Sequence, residues 1–151
     1  MKTTILVVCL GNICRSPLAE GVLKSKLSPI KFRIDSAGTS GFHVGESPDY
    51  RSIKIAAKHG IDISLQKSRA FKVEDFNIFD RIYVMDRNNL ENIKLLAETQ
   101  EEKNKVCLIL ENEEVPDPYY GDENDFKKVF DLLNNACNKI KSDLISSFHA
   151  P

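Results

Sequence analysis

Residues 4–10 read TILVVCL, an apolar run with no polar alternation after its first residue. A strand with one wet face alternates apolar and polar side chains. A run like this one is the mark of a strand buried on both faces, the arrangement of a parallel sheet covered by helices. The run meets Cys9, crosses the short loop LGNIC and enters RSPLAEGVLKSKL, where Leu18, Val22 and Leu27 line one side at helical spacing. Ser16 is expected to cap this helix. Pro17 is expected at its first position, where a missing N–H costs nothing.

The remaining chain keeps the alternation. Residues 31–37 (KFRIDSA), 81–86 (RIYVMD) and 105–110 (KVCLIL) read as strands. Residues 48–60, stopped by Gly60, 88–99 and 125–148 read as helices; in the last, Phe126, Val129, Phe130, Leu133, Cys137, Ile140 and Leu144 share a face. Strands alternating with helices imply an α/β fold with a parallel sheet flanked on both faces, and ligands bind such sheets beyond the carboxyl ends of the strands. The longest irregular pieces are 36–48, 60–79 and 111–123. The first and last leave strand ends and are placed to build a site on that edge. The charged stretch AETQEEKNK (97–105) is expected to be a solvated helix end and turn.

The 151 residues suit a single domain over 1–151. A net charge of −1 gives no electrostatic reason to expect nucleic acid or a membrane surface as partner. The first residues lack the pattern of a signal peptide and no segment suits a bilayer span, so a cytoplasmic location is expected. The four cysteines, Cys9, Cys14, Cys107 and Cys137, are then expected as thiols, with Cys107 in a buried strand and Cys137 on an apolar helix face. With His43, His59 and His149 scattered, neither a metal site nor another cofactor is expected.

Cys9 and Arg15 stand as Cys-x5-Arg, a weak pattern alone but placed here between a buried strand and a helix. Gly11 and Asn12 tolerate the left-handed backbone of a tight cradle. A loop of this kind (Leu10, Gly11, Asn12, Ile13, Cys14) turns its N–H groups inward, and the helix start adds positive potential, which together make an anion site. Arg15 can grip two oxygens of that anion in a planar fork, and the same field favours Cys9 as a thiolate nucleophile. A lone cysteine here would be most simply a small hydrophobe; the loop around it points instead to attack on phosphorus through a phosphocysteine. The leaving oxygen then needs an acid from the same edge. VPDPYYG offers Asp117 between two prolines that restrict its backbone, followed by Tyr119 and Tyr120 as an apolar wall. Cys14 reads equally as a packed loop residue or as a thiol that traps oxidised Cys9.

VCLGNICRSPLAE, DSAGTSGFHVGESPD, HGIDIS, Met85–Asp86 and DPYYG, in that order, resemble the low-molecular-weight protein tyrosine phosphatases over almost the whole chain. The resemblance implies a three-layer fold with a four-stranded parallel sheet and the phosphate-binding loop between the first strand and first helix. It also implies metal-free hydrolysis of phosphotyrosine in proteins or peptides, with inorganic phosphate as product; nothing in the sequence demands more than a monomer, which is the expected working form. By position, Cys9 matches the nucleophile, Arg15 the phosphate clamp and Asp117 the general acid. Asn12 matches the residue that holds the loop with Ser36, and Ser16 the hydroxyl that steadies the thiolate. Phe42, Tyr119 and Tyr120 match the rim that meets the substrate ring. Many members carry a histidine after the segment matching HGIDIS; here SLQKSRAF offers Leu65 and Gln66, of which Gln66 can hydrogen-bond but not take a proton near neutral pH.

Three other activities share parts of this pattern. An arsenate reductase on the same fold needs two further cysteines on a mobile segment, which Cys107 and Cys137 do not supply. A protein-arginine phosphatase is expected to carry threonine at Ile13. A non-catalytic phosphotyrosine-binding module would lack the nucleophile or the acid.

Overall fold

The computed structural model describes residues 1–148. Four parallel strands, β1 (Thr3–Cys9), β2 (Phe32–Gly38), β3 (Arg81–Val84) and β4 (Val106–Leu108), lie in the order β2-β1-β3-β4. The helices between and after them are α1 (Arg15–Lys26), α2 (Tyr50–Lys58), α3 (Asp75–Ile78), α4 (Arg87–Leu96), α5 (Gln100–Asn104) and α6 (Glu123–Phe148). No helix among the described residues is long and apolar enough to cross a membrane.

The unalternated run in β1 has the expected cause. Ile5, Val7 and Cys9 point into one core, with Leu18 and Val22 of α1 and Val129, Phe130, Leu133, Ile140 and Leu144 of α6. Leu6 and Val8 point into a second core on the opposite face, with Phe76, Phe79 and Ile93. Residues 5–8 have no exposed surface at all. Burying one such side chain is worth roughly 1.5–3 kcal/mol, so β1 anchors both layers at once. Chain order reverses around β1, with β2 on one side and β3 on the other. The loop leaving β1 therefore opens at a topological switch point, where open α/β sheets receive ligands.

Several local expectations are revised. The helix after the loop begins at Arg15, with Cys14 in the capping position and no side-chain cap. Pro17 is its third residue rather than its first, and Ser16 is inside the helix, its hydroxyl drawn to other partners. Residues 100–104 form a helix of their own, α5, entered through a reciprocal capping box between Thr99 and Glu102. The irregular stretch 60–79 contains the single turn α3. Cys107 is exposed, not buried: β4 is a three-residue edge strand with Val106 and Leu108 facing in.

Candidate active site

The loop from Leu10 to Cys14 is shaped by where its carbonyls go. Cys9 O accepts from Thr39 N at 2.9 Å and Leu10 O from Ser40 N at 2.9 Å. Gly11 O accepts from the Ser68 hydroxyl at 3.0 Å, Ile13 O from Asp49 N at 2.7 Å and Cys14 O from the Ser52 hydroxyl at 3.3 Å. In a planar trans peptide the C=O and the next N–H point opposite ways. Five carbonyls held by the surrounding framework thus turn the N–H groups of Leu10, Gly11, Asn12, Cys14 and Arg15 toward the loop's centre. Asn12 takes the left-handed backbone, with φ 57°. Gly11 does not; its missing side chain makes room for His43, whose Cδ2 would lie 3.0 Å from a β-carbon there.

Gly38, the last residue of β2, lets the loop sit against the sheet. A β-carbon there would fall 2.8 Å from Leu10 O and 3.1 Å from Asn12 N. Because the obstacle is backbone, Gly38→Ala is expected to lower stability by roughly 1–3 kcal/mol, the usual cost of overpacking. Thermal unfolding measures it, and an unchanged melting temperature would mean the loop gives way freely.

Behind the loop the polar side chains form one chain of bonds. The Cys9 sulfur lies 3.1 Å from the Ser16 hydroxyl. Asn12 Nδ2 donates to Ser16 Oγ at 2.7 Å and to Ser36 Oγ at 3.0 Å, while Asn12 Oδ1 accepts from Arg69 N at 3.0 Å. The Ser36 hydroxyl donates to Glu20 Oε1 at 2.6 Å. These bonds explain why Ser16 does not cap α1. Neither Arg69 nor Glu20 stands out in the sequence as part of a site.

Arg15 is buried, and its Nη1 donates to Asp86 Oδ2 and to Val115 O, both at 2.8 Å. The other oxygen of Asp86 caps α4 by accepting from Asn89 N at 2.8 Å. One carboxylate therefore starts a helix and fixes a guanidinium. Asp86 is a site residue that the sequence reading left without a role; its signal is an acid at the carboxyl end of β3 just before a helix.

Cys9, Leu10, Gly11, Ile13, Cys14, Arg15, Phe42, Asp117, Tyr119 and Tyr120 line one cleft of about 420 Å³, together with Ser40 and His43. Ser16, Asn12 and Ser36 lie behind its floor. Asp117 Oδ2 is 3.8 Å from Arg15 Nη2, and its Oδ1 accepts from Tyr119 N at 3.1 Å, which sets the carboxyl at the cleft wall. Tyr119 and Tyr120 meet edge to face at 5.0 Å; Phe42 and Tyr120 are almost fully exposed at the rim. Arg51 ties this wall to α2, donating to Tyr119 O at 2.8 Å and Gly121 O at 3.1 Å while pairing with Asp49. Its guanidinium also lies 4.4 Å from the centre of the Phe126 ring. His43 is held by Glu46 at 2.6 Å.

Burial, reinforced by Asp49, Cys9 and Asp117, pushes the Cys14 thiol up to about 12, so it is a neutral thiol near neutral pH. Gln66 Nε2 donates to Pro17 O at 3.2 Å, which places it against α1 behind the loop.

A family model described as low molecular weight phosphotyrosine protein phosphatase matches residues 4–147. The low molecular weight phosphotyrosine protein phosphatase of Homo sapiens is 37% identical over 144 residues, covering 89% of this chain and 90% of that one. A crystal structure of a protein tyrosine phosphatase from Entamoeba histolytica superimposes with a TM-score of 0.91 at 35% identity, covering 97% of this chain and 99% of that one. The low molecular weight protein tyrosine phosphatase of Streptococcus pyogenes gives a TM-score of 0.85 at 38% identity, covering 95% and 93%. With this match over nearly its whole length, the chain belongs to the low molecular weight phosphotyrosine protein phosphatase family.

Proposed function

We propose that this protein hydrolyses phosphotyrosine in proteins or peptides, with Cys9 as nucleophile, Arg15 as phosphate clamp and Asp117 as general acid and base. The observation that carries the reading is the Cys9 sulfur at the floor of a loop whose carbonyls are turned outward, with the Asp117 carboxyl on the wall of the same cleft. Phosphate oxygens fit the inward N–H groups of the loop. Asp86 and Val115 occupy Nη1 of Arg15, so the grip on phosphate falls to its Nε–Nη2 edge. The apolar walls made by Leu10, Ile13, Phe42, Tyr119 and Tyr120 suit the aromatic ring of the leaving group.

The reaction then has two steps. The Cys9 thiolate attacks phosphorus in line; the S–P bond forms as the P–O bond to the tyrosine breaks, and protonated Asp117 gives its proton to the departing oxygen. Asp117, now a carboxylate, takes a proton from water as that water attacks phosphorus; the S–P bond breaks, phosphate leaves and the thiolate is restored. Developing charge on the equatorial oxygens meets donors already in place, the arrangement that lowers the barrier most. Each step uses groups of this chain alone. The enzyme is further proposed to be cytoplasmic and to work as a monomer and as a single domain over 1–151, and the family match over residues 4–147 supports the single domain.

Phosphate release from three matched peptides carrying phosphotyrosine, phosphoarginine or phosphoserine tests the substrate, run without added metal and with Cys9→Ser as control. Strong preference for phosphotyrosine is expected. Preference for phosphoarginine would overturn the substrate while keeping the chemistry, and no release from folded, reduced protein would overturn the activity.

A further inference from the structure

Glu20 is a carboxylate with 4% of its surface exposed, on the buried side of α1, and the mechanism above does not use it. Its two oxygens are both acceptors: Oε1 takes the Ser36 hydroxyl hydrogen at 2.6 Å and Oε2 takes the Lys24 ammonium at 2.7 Å. A carboxyl that accepts at both oxygens and pairs with an ammonium is ionised.

This assignment fixes every hydrogen between Glu20 and the nucleophile. Ser36 has one hydroxyl hydrogen, directed at Glu20, so it meets Asn12 as an acceptor. The Asn12 amide must then present its NH₂ to Ser36 and Ser16, an orientation also held by Arg69 N–H on Oδ1. Ser16 Oγ accepts from that NH₂ at 2.7 Å, so its own hydrogen is the one that lies along the 3.1 Å to the Cys9 sulfur. The competing state is an Asn12 amide turned over. Its carbonyl would take hydrogens from both serines, and the sulfur would lose its hydroxyl donor. A hydrogen bond to a charged group is worth more than one to a neutral group, so this direction matters most when Cys9 is a thiolate.

We propose that Glu20 is a positioning residue for the nucleophile: acting through Ser36 and Asn12, it directs the Ser16 hydroxyl hydrogen onto the Cys9 sulfur. Lys24, one turn further along α1, offsets the Glu20 charge, so the carboxylate orients the network without adding repulsion at the sulfur. The charged and titratable groups around the sulfur are Arg15 with its partners Asp86 and Asp117, His43 with its partner Glu46, and the neutral Cys14, beside the Ser16 hydroxyl and the loop N–H groups. The inference rests on Cys9 being the nucleophile.

The test is the rate of Cys9 alkylation by iodoacetamide as a function of pH, with the modified residue identified by mass spectrometry, in wild type, Glu20→Gln, Ser36→Ala and the double variant. Glu20→Gln is expected to move the profile toward higher pH and to slow alkylation about tenfold on its acid side, the effect of roughly one pH unit. Ser36→Ala, which leaves the Glu20–Lys24 pair intact, is expected to do the same. The double variant is expected to be no worse than either single one, because both changes break the same path. A profile unchanged or moved to lower pH in Glu20→Gln overturns the proposal, as does a double variant with fully additive effects. If Glu20→Gln does not fold, an unchanged profile in Ser36→Ala overturns it equally. Wild-type Cys9 that reacts no faster than Cys107, or that phosphate does not protect, would instead count against Cys9 as the nucleophile.

Discussion

Replacing Cys9 by serine is expected to lower turnover of an aryl phosphate by on the order of 10⁴–10⁶-fold, the scale set when a nucleophile is removed from an otherwise intact site, while the loop still binds phosphate. The two halves of this result come from different atoms. Attack requires a group that is anionic near neutral pH and departs readily from phosphorus, and a serine alcohol offers neither. Binding requires the inward N–H groups and Arg15. Those are held by Thr39, Ser40, Asp49, Ser52, Ser68 and Asp86, none of which touches the sulfur in the bonds that set the loop. Ser16 and Asn12 remain to meet the new hydroxyl. Kinetics with an aryl phosphate, beside a phosphate titration followed by thermal unfolding, reads both halves. Turnover near wild type in the variant would remove Cys9 from the chemistry; lost phosphate binding in a folded variant would mean that the sulfur itself organises the loop.

The contrast between what the sequence revealed and what it hid follows from length and distance. β1 and α6 were readable because their patterns run over seven and 26 residues, long enough for burial to print a period on the chain. α3 and α5 have four and five residues, too short for any period; the capping box of Thr99 and Glu102 that starts α5 lies in a charge-rich stretch that reads as a helix end and turn. Cys107 was misplaced because an apolar run does not say whether its strand lies at the edge or the centre of a sheet. Ser-Pro after a loop has the form of a helix start, but Asn12 and Cys9 claim the hydroxyl that would have capped it. The loop's own residues were legible as a motif because they are contiguous. Their supports were not: Asp86 lies 71 residues from Arg15 and Val115 lies 100 away. Such pairings depend on strand order, and the alternation of strands and helices leaves that order open.

Asp117→Asn is expected to slow hydrolysis of phosphotyrosine by roughly 10²–10⁴-fold, the usual worth of a positioned acid, and the loss is expected to shrink as the leaving phenol becomes more acidic. An asparagine keeps the size of the side chain and can still accept from Tyr119 N through its carbonyl. The wall of the cleft, clamped by Arg51 through Tyr119 O and Gly121 O, has no reason to move. What disappears is the transferable proton. A tyrosine oxygen leaves poorly as an anion and needs that proton, whereas a strongly acidic phenol departs without it. Release of phosphate from the phosphocysteine needs Asp117 as well, now as a base, so the variant is expected to accumulate the covalent intermediate when the substrate is highly activated. Rates across a series of aryl phosphates, with a quench to look for phosphate on Cys9, separate the two roles. A loss that is the same for every leaving group would place Asp117 in binding or in the water step alone. An unchanged rate with all of them would require another acid, and no other carboxylate lines the cleft among the described residues.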